Sequence, residues 1–281
     1  MSPKNYLHLW LMAALLVLAG CRGGAKVVTQ TPDFDFGQMK ESAWAIGGVY
    51  LNANFVPDGA AEKELKPFVT PWHAVSEVFS PMLYGGFMQI EPQMEVWTFG
   101  TVFSLVSEVD LKAAADFVSH SKVPSRDQIQ SIADHLPNVR YLVFARLDDT
   151  ELVTDQDMAS SVVDQMNRDG RDPHANTLSR TVIIRRGVFM SMEVYDLTDG
   201  TLVWSGKADT WDEDFLNGDA NEQSKDVEVL REGEDSEVTD IHLDGIMRKG
   251  PGLFDGVRET CGKVVGELKT GEGLSAGDST P

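Results

Sequence analysis

The sequence predicts an α/β domain, with a mixed β-sheet flanked by helices, and three patterns carry that prediction. A capping box at 125–128 opens a helix that leads directly into an apolar strand at 139–147. Alternating apolar residues at 182–196 and 202–208, on either side of an Asp-Gly turn, predict a prominent β-hairpin. An amphipathic C-terminal helix is predicted at 252–268. Helices and strands in this order are typical of a sheet that is covered by helices.

Hydrophobic patterning also defines the remaining elements. Thr70-Pro71 favours the start of a helix, because a hydroxyl can cap it and proline suits the first helical position. Pro81 is predicted to limit that helix, since proline removes a backbone donor. The other predicted elements are strands at 44–52, 87–91 and 96–103 and a helix at 110–120.

The first twenty residues have the three parts of a secretory signal. Lys4 supplies a positive charge, an apolar run follows at 6–18, and Ala19 and Gly20 are small. The apolar run is shorter than the ~20 residues that a membrane-spanning helix needs. Residues 1–20 are therefore predicted to be a signal peptide that is removed.

The end of this signal, Leu18-Ala19-Gly20-Cys21, resembles the lipobox of bacterial lipoproteins. The resemblance implies that Cys21 becomes the mature N-terminus, with a diacylglyceryl group on its thiol and a fatty acid such as palmitate on its amino group. Arg22 stands where some lipoproteins carry the Asp that retains them at the inner membrane, which implies the outer membrane. Two alternatives stay open: a signal in which Cys21 is incidental, and an inner-membrane location.

Composition divides the mature chain into a body and several polar segments. Glycine, proline and polar residues before position 41 predict a flexible tether, and the Gly/Ser-rich C-terminus predicts a disordered tail. Two polar stretches inside the body predict long loops. The predicted organisation is a tether at 21–40, a single α/β domain at 41–268 with a polar insertion at 154–179 and an acidic loop at 209–240, and a tail at 269–281.

The charge of the chain restricts its partners. The formal net charge is −20 at pH 7. Such a protein is repelled by nucleic acid and by anionic lipid headgroups, so no nucleic-acid partner is expected. Residence at a membrane is expected to depend on the lipid attached to Cys21, because more than one acyl chain gives stable anchoring.

The two cysteines allow no disulfide once one is lipidated, because Cys261 is then alone. Cys261 is interpreted as an apolar helix residue in preference to a reactive thiol, because no activating neighbours are apparent. Trp204 and Trp211 on the hairpin are interpreted as core residues in preference to a binding patch.

A search for catalytic and metal-binding motifs gives no candidate residue. Nucleophile-elbow, zinc and phosphate-loop motifs are missing from the sequence. No catalytic, cofactor or metal site is therefore predicted, and the protein is expected not to be an enzyme. A calcium site at 209–219 remains a weaker hypothesis, because Leu216 occupies a ligand position of the calcium-loop pattern. The six histidines, at positions 8, 73, 120, 135, 174 and 242, do not fall at metal-ligand spacing.

The helix at 125–136, the strand at 139–147 and the hairpin at 192–205 together resemble a family of envelope lipoprotein domains. That family includes the curli secretion lipoprotein and the penicillin-binding-protein activator lipoprotein, and the N-terminal domain of TolB has a related fold. The closing helix at 253–268 also fits the pattern. The resemblance implies a non-catalytic domain used for protein–protein contact in the cell envelope. The polar segments at 154–179 and 209–240 depart from it.

These observations favour a lipid-anchored, non-catalytic interaction or assembly protein at the outer membrane, facing the periplasm, with an envelope protein as its partner. Two other functions stay open. One is a periplasmic hydrolase or small-ligand-binding lipoprotein whose site forms only in three dimensions. The other is a calcium-responsive envelope protein.

Overall fold

A six-stranded mixed sheet forms the centre of the fold in the computed structural model, which describes residues 25–155, 181–217 and 251–270. The strands are β1 (Ala25–Gln30), β2 (Trp44–Leu51), β3 (Val96–Trp97), β4 (Tyr141–Asp155), β5 (Thr181–Asp196) and β6 (Thr201–Asn217). Their spatial order is β1-β6-β5-β4-β2-β3. β2 pairs in parallel with β3 and β4, and the other neighbours are antiparallel. The predicted mixed sheet is confirmed.

Helices cover both faces of this sheet. They are α1 (Phe36–Met39), α2 (Gly59–Leu65), α3 (Ala74–Ile90), α4 (Phe99–Leu105), α5 (Glu108–Ser119), α6 (Arg126–Ala133) and α7 (Leu253–Thr270). α7 packs on β1, β5 and β6 and against α3, whereas α5 lies over β2 and β4. Cys261 of α7 contacts Met190, and Val118 of α5 accepts a hydrogen bond from Arg146. Because Arg146 is the cross-strand partner of Ser191, next to Met190, the two helices lie on opposite faces.

Three predicted helices are confirmed, and each begins or packs as its sequence pattern indicates. Ser125 and Gln128 form the capping box of α6. The Gln128 backbone amide donates to the Ser125 hydroxyl, and the Ser125 backbone amide donates to the Gln128 side-chain oxygen. α5 matches the helix predicted at 110–120. α7 buries its predicted apolar stripe, which is Val257, Cys261, Val264, Val265 and Leu268, while Phe254 is half-buried.

The β5–β6 hairpin is confirmed, and its turn depends on a glycine. Gly200 has a φ of +71°, and a Cβ there would lie 2.8 Å from the Arg126 carbonyl oxygen. A side chain at this position would be strained by its conformation and would also meet α6. The turn therefore determines the register of the hairpin and the position at which the hairpin packs against α6.

The hairpin is longer than predicted, which corrects part of two predicted loops. β6 continues to Asn217, so the first residues of the predicted acidic loop 209–240 form a strand. Acidic residues of this strand lie opposite basic residues of β5: Arg185 pairs with Glu213 in register, and their Nε and Oε1 atoms lie 2.7 Å apart. β4 likewise reaches Asp155, inside the predicted insertion 154–179. The rest of both segments lies outside the described residues.

The predicted tether at 21–40 is wrong over most of its length. Residues 25–30 form β1, an edge strand paired antiparallel with β6, and α1 follows. Asp35 caps α1, and Phe36 and Met39 are buried in the core. Local composition does not predict β1 and α1, because their stability comes from pairing with and burial against distant parts of the chain.

Pro81 does not end α3, and the strand predicted at 87–91 is wrong. α3 runs through Pro81 to Ile90. Leu83 and Phe87, beyond the proline, are fully buried in the core. Burial of these side chains outweighs the one backbone hydrogen bond that proline removes.

The strand predicted at 96–103 is also wrong beyond its first residues. β3 ends at Trp97, and α4 begins at Phe99. The Thr98 side chain caps this helix by accepting a hydrogen bond from the Thr101 amide. The predicted start of α3 shifts as well, since Thr70-Pro71 lies before the helix and His73 occupies the N-cap.

Candidate functional site

The predicted lipidation residue, Cys21, lies outside the described residues, and the structure locates only the chain that follows it. β1 begins at Ala25, so Arg22, Gly23 and Gly24 alone separate Cys21 from the sheet. β1 is an edge strand, so the predicted anchor joins the domain at the side of the sheet. The signal peptide at 1–20 and most of the tail, 271–281, also lie outside the described residues.

An open groove of about 670 Å³ lies beside the start of β1. It extends from the C-terminal end of α5, at Ser121, across β4, β5 and β6 to Ala25 and Lys26. α7 covers β5 and β6 on the opposite face. Ala25 and Lys26 themselves line the groove, and its polar side chains are the candidate functional residues.

The centre of the groove is a hydrogen-bonded network around Arg146. Its guanidinium donates from Nε to Asp148 Oδ1 at 2.5 Å and from Nη1 to the Val118 carbonyl at 2.8 Å. Nη2 lies 3.4 Å from Ser191 Oγ, and the Ser191 hydroxyl in turn donates to Asp148. The ladder is irregular between Leu147 and Asp149, so Asp148 lies at a bulge. A bulge re-aims a side chain, and here it places the carboxylate beside Arg146.

Register places four polar residues in one row across the sheet. Arg146 is the partner of Ser191, Ser191 of Lys207, and Lys207 of Lys26. Directly opposite residues lie on the same face, so this basic row runs from β4 to the β1 edge. Arg146 is nearly buried, whereas both lysines are exposed. The three basic residues of the row lie beside four carboxylates that also line the groove, those of Asp148, Asp149, Glu151 and Asp209.

Glu193 and Tyr195 occupy the same face of β5, next to the basic row. The Tyr195 hydroxyl donates to Glu193 Oε2 at 2.6 Å. Burial raises the pKa of Glu193 above its usual range, although the Tyr195 hydrogen bond and the Arg146 charge oppose the rise. Burial and the Glu193 charge also raise the pKa of Tyr195, so the phenol stays protonated and remains a donor.

A second buried cation, Arg186, lies away from the groove and joins three elements. It donates to Asp58 from Nη1 at 2.8 Å and to the Pro251 carbonyl from Nε at 2.6 Å. Asp58 caps α2 through the Ala60 and Ala61 amides. Burial of Asp58 opposes its ionisation, but these donors and Arg186 outweigh it and lower its pKa. The cluster connects β5, α2 and the start of α7, which indicates a structural role.

Cys261 and Trp204 lie in the core, which confirms the interpretation of their sequence positions. Both are fully buried, and burial raises the pKa of the Cys261 thiol to about 12. A thiol with that pKa is a poor nucleophile at neutral pH. Trp211 is half-buried and packs edge-on against Phe189, with ring centroids 5.8 Å apart. A binding patch that includes Trp204 is therefore wrong.

Among the residues that the structure describes, no three His, Cys, Asp or Glu side chains are grouped so that they could hold a metal ion. The described part of the calcium hypothesis, 209–217, is strand β6. Successive side chains of 209–213 point to opposite faces of the sheet. Of the six histidines, His73, His120 and His135 fall in the described ranges, and His73 and His120 are helix-cap residues of α3 and α5.

The groove offers hydrogen-bond donors and charges and has no described nucleophile–base pair. Ser191 is bound to Asp148 and lies near Arg146, and neither histidine nor cysteine lines the groove in the described part of the chain. This arrangement suits recognition of a polar or charged group. In the sequence, Arg146 is the one charge in the otherwise apolar run 141–147. Lys26, Ser191 and Lys207 became visible only through the register.

No family model and no curated protein matches this chain. Among solved structures, it is similar to the PelC dodecamer from Paraburkholderia phytofirmans, with 10% identity, a TM-score of 0.32, and 88% of this chain and 97% of that chain covered. It is also similar to the LpoB C-terminal domain from Salmonella enterica, with 10% identity, a TM-score of 0.23, and 60% and 82% covered. Likenesses this weak say nothing about function. Within the described ranges, no helix has the length and apolarity to span a bilayer.

Proposed function

We propose that this chain is a lipid-anchored, non-catalytic protein of the bacterial envelope that acts through contact with another envelope protein. We place it at the outer membrane, facing the periplasm. The observation that carries the proposal is the sequence Leu18-Ala19-Gly20-Cys21. It ends an apolar run that follows the positively charged Lys4. A lipidated Cys21 would hold a strongly acidic domain at a membrane that otherwise repels it.

The chemistry of the two cysteines supports Cys21 as the attachment residue. Cys261 is fully buried with a raised pKa, so it is protected from modification. Cys21 precedes the first strand and follows the only apolar run that resembles a signal. The resemblance of 125–147 and 192–205 to envelope lipoprotein domains supports a role in protein contact.

Metabolic labelling with a clickable palmitate analogue, followed by membrane fractionation, tests the anchor. The native chain and the matched control Cys261→Ala should be labelled and recovered with outer membranes. Cys21→Ser should be unlabelled and lost from the membrane fraction, or accumulate as an uncleaved precursor. Labelling of Cys21→Ser equal to that of the native chain would refute lipidation at this residue.

Photo-crosslinking tests the partner. A photoreactive amino acid at Phe189, in the groove, should capture a reproducible envelope protein in cells, whereas the same group at Val109, on α5, should not. Equal capture patterns from the two positions would contradict an interaction specific to the groove.

The groove itself favours a second candidate, a small-ligand-binding lipoprotein. Its volume of about 670 Å³ lies within the range of ligand sites, and its centre is the buried Arg146 network. A thermal-shift screen with small anions and zwitterions on the native chain would favour this candidate if a hit were lost in Ser191→Ala. A screen without hits would leave protein contact as the preferred role.

A further inference from the structure

The position of β1 sets a short distance between the predicted lipid and the domain. The chain from Cys21 to Ala25 spans at most ~14 Å, even when fully extended. The twenty-residue tether that composition suggests is reduced to three residues, Arg22 to Gly24, because β1 and α1 belong to the domain. The β1 edge of the domain must therefore lie close to any membrane that holds Cys21.

A three-stranded extension projects past the start of β1. Ala25 pairs with Ala208, and β6 continues beyond that point to Asn217, together with the paired ends of β4 and β5. At ~3.3 Å per residue, the extension reaches ~30 Å beyond Ala25. Because β1 and β6 are antiparallel, the N-terminal end of β1 faces the same side as this extension.

These two lengths restrict how the domain sits on a bilayer. If the strands stood upright on the membrane, the extension would reach about 15 Å below the level of Cys21, past the headgroups and into the hydrocarbon. Its described side chains include Arg185, Arg186, Asp212 and Glu213, which are costly to place there. The strand axes must therefore incline by more than about 60° from the membrane normal. The β1 side of the sheet then faces the lipid headgroups.

That side carries the exposed lysines of the basic row. Lys26 and Lys207 are direct cross-strand partners, an arrangement that is destabilising for two like charges. No ion pair of either lysine is formed within the described ranges, and the nearby Arg146 is already bound to Asp148. An anionic group outside the protein would offset the repulsion between the two ammonium groups.

We propose that the β1 edge, with Lys26 and Lys207, docks on the phosphate groups of the lipids into which Cys21 is anchored. The proposal rests on the proposed lipid anchor. A flexible tether at 21–40 would hold the domain away from the membrane. In the proposed orientation, the strands instead lie nearly parallel to the membrane surface. The groove, which also holds the carboxylates of Asp148, Asp149, Glu151 and Asp209, then lies beside the headgroup layer.

Fluorescence quenching in vesicles tests this orientation. The lipidated full-length chain carries a thiol-reactive fluorophore at Val28→Cys, on the β1 edge, or at Val109→Cys, at the end of α5 far from the groove. Val28 is 52% and Val109 is 76% exposed, so both tolerate labelling, and buried Cys261 stays unlabelled. The vesicles contain phosphatidylethanolamine, phosphatidylglycerol and a lipid with a nitroxide on its headgroup.

We expect strong quenching at Val28 and little at Val109. A Gly/Ser linker of about twenty residues inserted after Gly24, which spans ~25 Å on average, should reduce quenching at Val28 because it releases the constraint. Weak quenching at Val28 in protein that floats with vesicles would overturn the proposal and leave the anchor intact. Protein that does not float would remove the anchor, and this proposal with it.

The phosphate contact is tested with Lys26→Gln/Lys207→Gln, against Lys63→Gln on α2 as the matched control. These variants are made in the chain that carries the inserted linker. The double variant should lower the equilibrium constant for docking by about fivefold per lysine, and the control should leave it unchanged. Unchanged quenching in the double variant would refute the lysine contact. Inorganic phosphate at constant ionic strength should compete with the lipid phosphates for the two lysines and lower quenching at Val28, and quenching that is unchanged by phosphate would refute a phosphate-specific contact.

Discussion

At the residue scale, the buried guanidinium of Arg186 determines how three elements meet. Its side chain is 1% exposed and that of its partner Asp58 is 16% exposed. Removing one member of such a pair leaves the other without compensation, at a cost of about 3–5 kcal/mol. We therefore expect Arg186→Ala to lower the free energy of unfolding by that amount in urea denaturation.

The matched control is Arg258→Ala, which removes an exposed arginine from its pair with Asp255. The two side chains are 63% and 75% exposed, so we expect a loss of at most about 1 kcal/mol. Similar losses in both variants would contradict the structural role of Arg186.

Asp58 predicts a specific dependence of stability on pH. Its pKa is lowered in the folded protein, so its contribution is fully present above the unfolded pKa of about 3.9. The contribution is lost as the pH falls through the folded pKa. Asp58→Asn should therefore be destabilising near neutral pH, with a penalty that shrinks toward acid. A penalty that is constant from neutral pH to acid pH in urea denaturation would exclude ionisation of Asp58 as its origin.

At the element scale, the β5–β6 turn and helix α3 predict opposite effects of the same substitution. Gly200→Ala places a side chain at a φ of +71° against Arg126, and we expect a loss of roughly 1–2 kcal/mol. Gly85→Ala in α3 meets nothing within 4 Å, so we expect a gain of roughly 0.5–1 kcal/mol. Thermal unfolding of both variants checks the signs, and a stabilised Gly200→Ala would contradict the turn.

The elements also show which parts of the fold local sequence predicts. The capping box of α6 and the alternation of β5 are local signals that the structure confirms, because the residues that define them are neighbours in the chain. β1 and the continuation of α3 past Pro81 depend on partners that are distant in sequence. Composition alone therefore predicted a tether and an early helix end at these places.

The candidate site shows the same division. Arg146 was visible as a charge that interrupts an apolar strand. Its neighbours in the row are supplied by three other strands, through a register that the sequence does not reveal. A mixed-charge groove of this kind has no short motif, because its residues come from positions far apart in the chain.

At the scale of the whole molecule, the proposed lipid anchor, the net charge and the length of the connection together define how the protein would lie on a membrane. A net charge of −20 opposes adsorption to anionic lipid, so in our proposal the lipid on Cys21 supplies the attachment. The three residues between Cys21 and β1 then leave the domain little freedom to turn. The proposed contact with an envelope partner would take place close to the headgroup layer, at the groove.

The central claim is that Cys21 is the lipidated N-terminus of the mature protein. Mass spectrometry of the N-terminal peptide from membrane-purified protein tests it most directly. We predict a chain that begins at Cys21 and carries a diacylglyceryl thioether and an N-linked fatty acid. A mature chain that begins elsewhere, or that begins at an unmodified Cys21, would contradict the account.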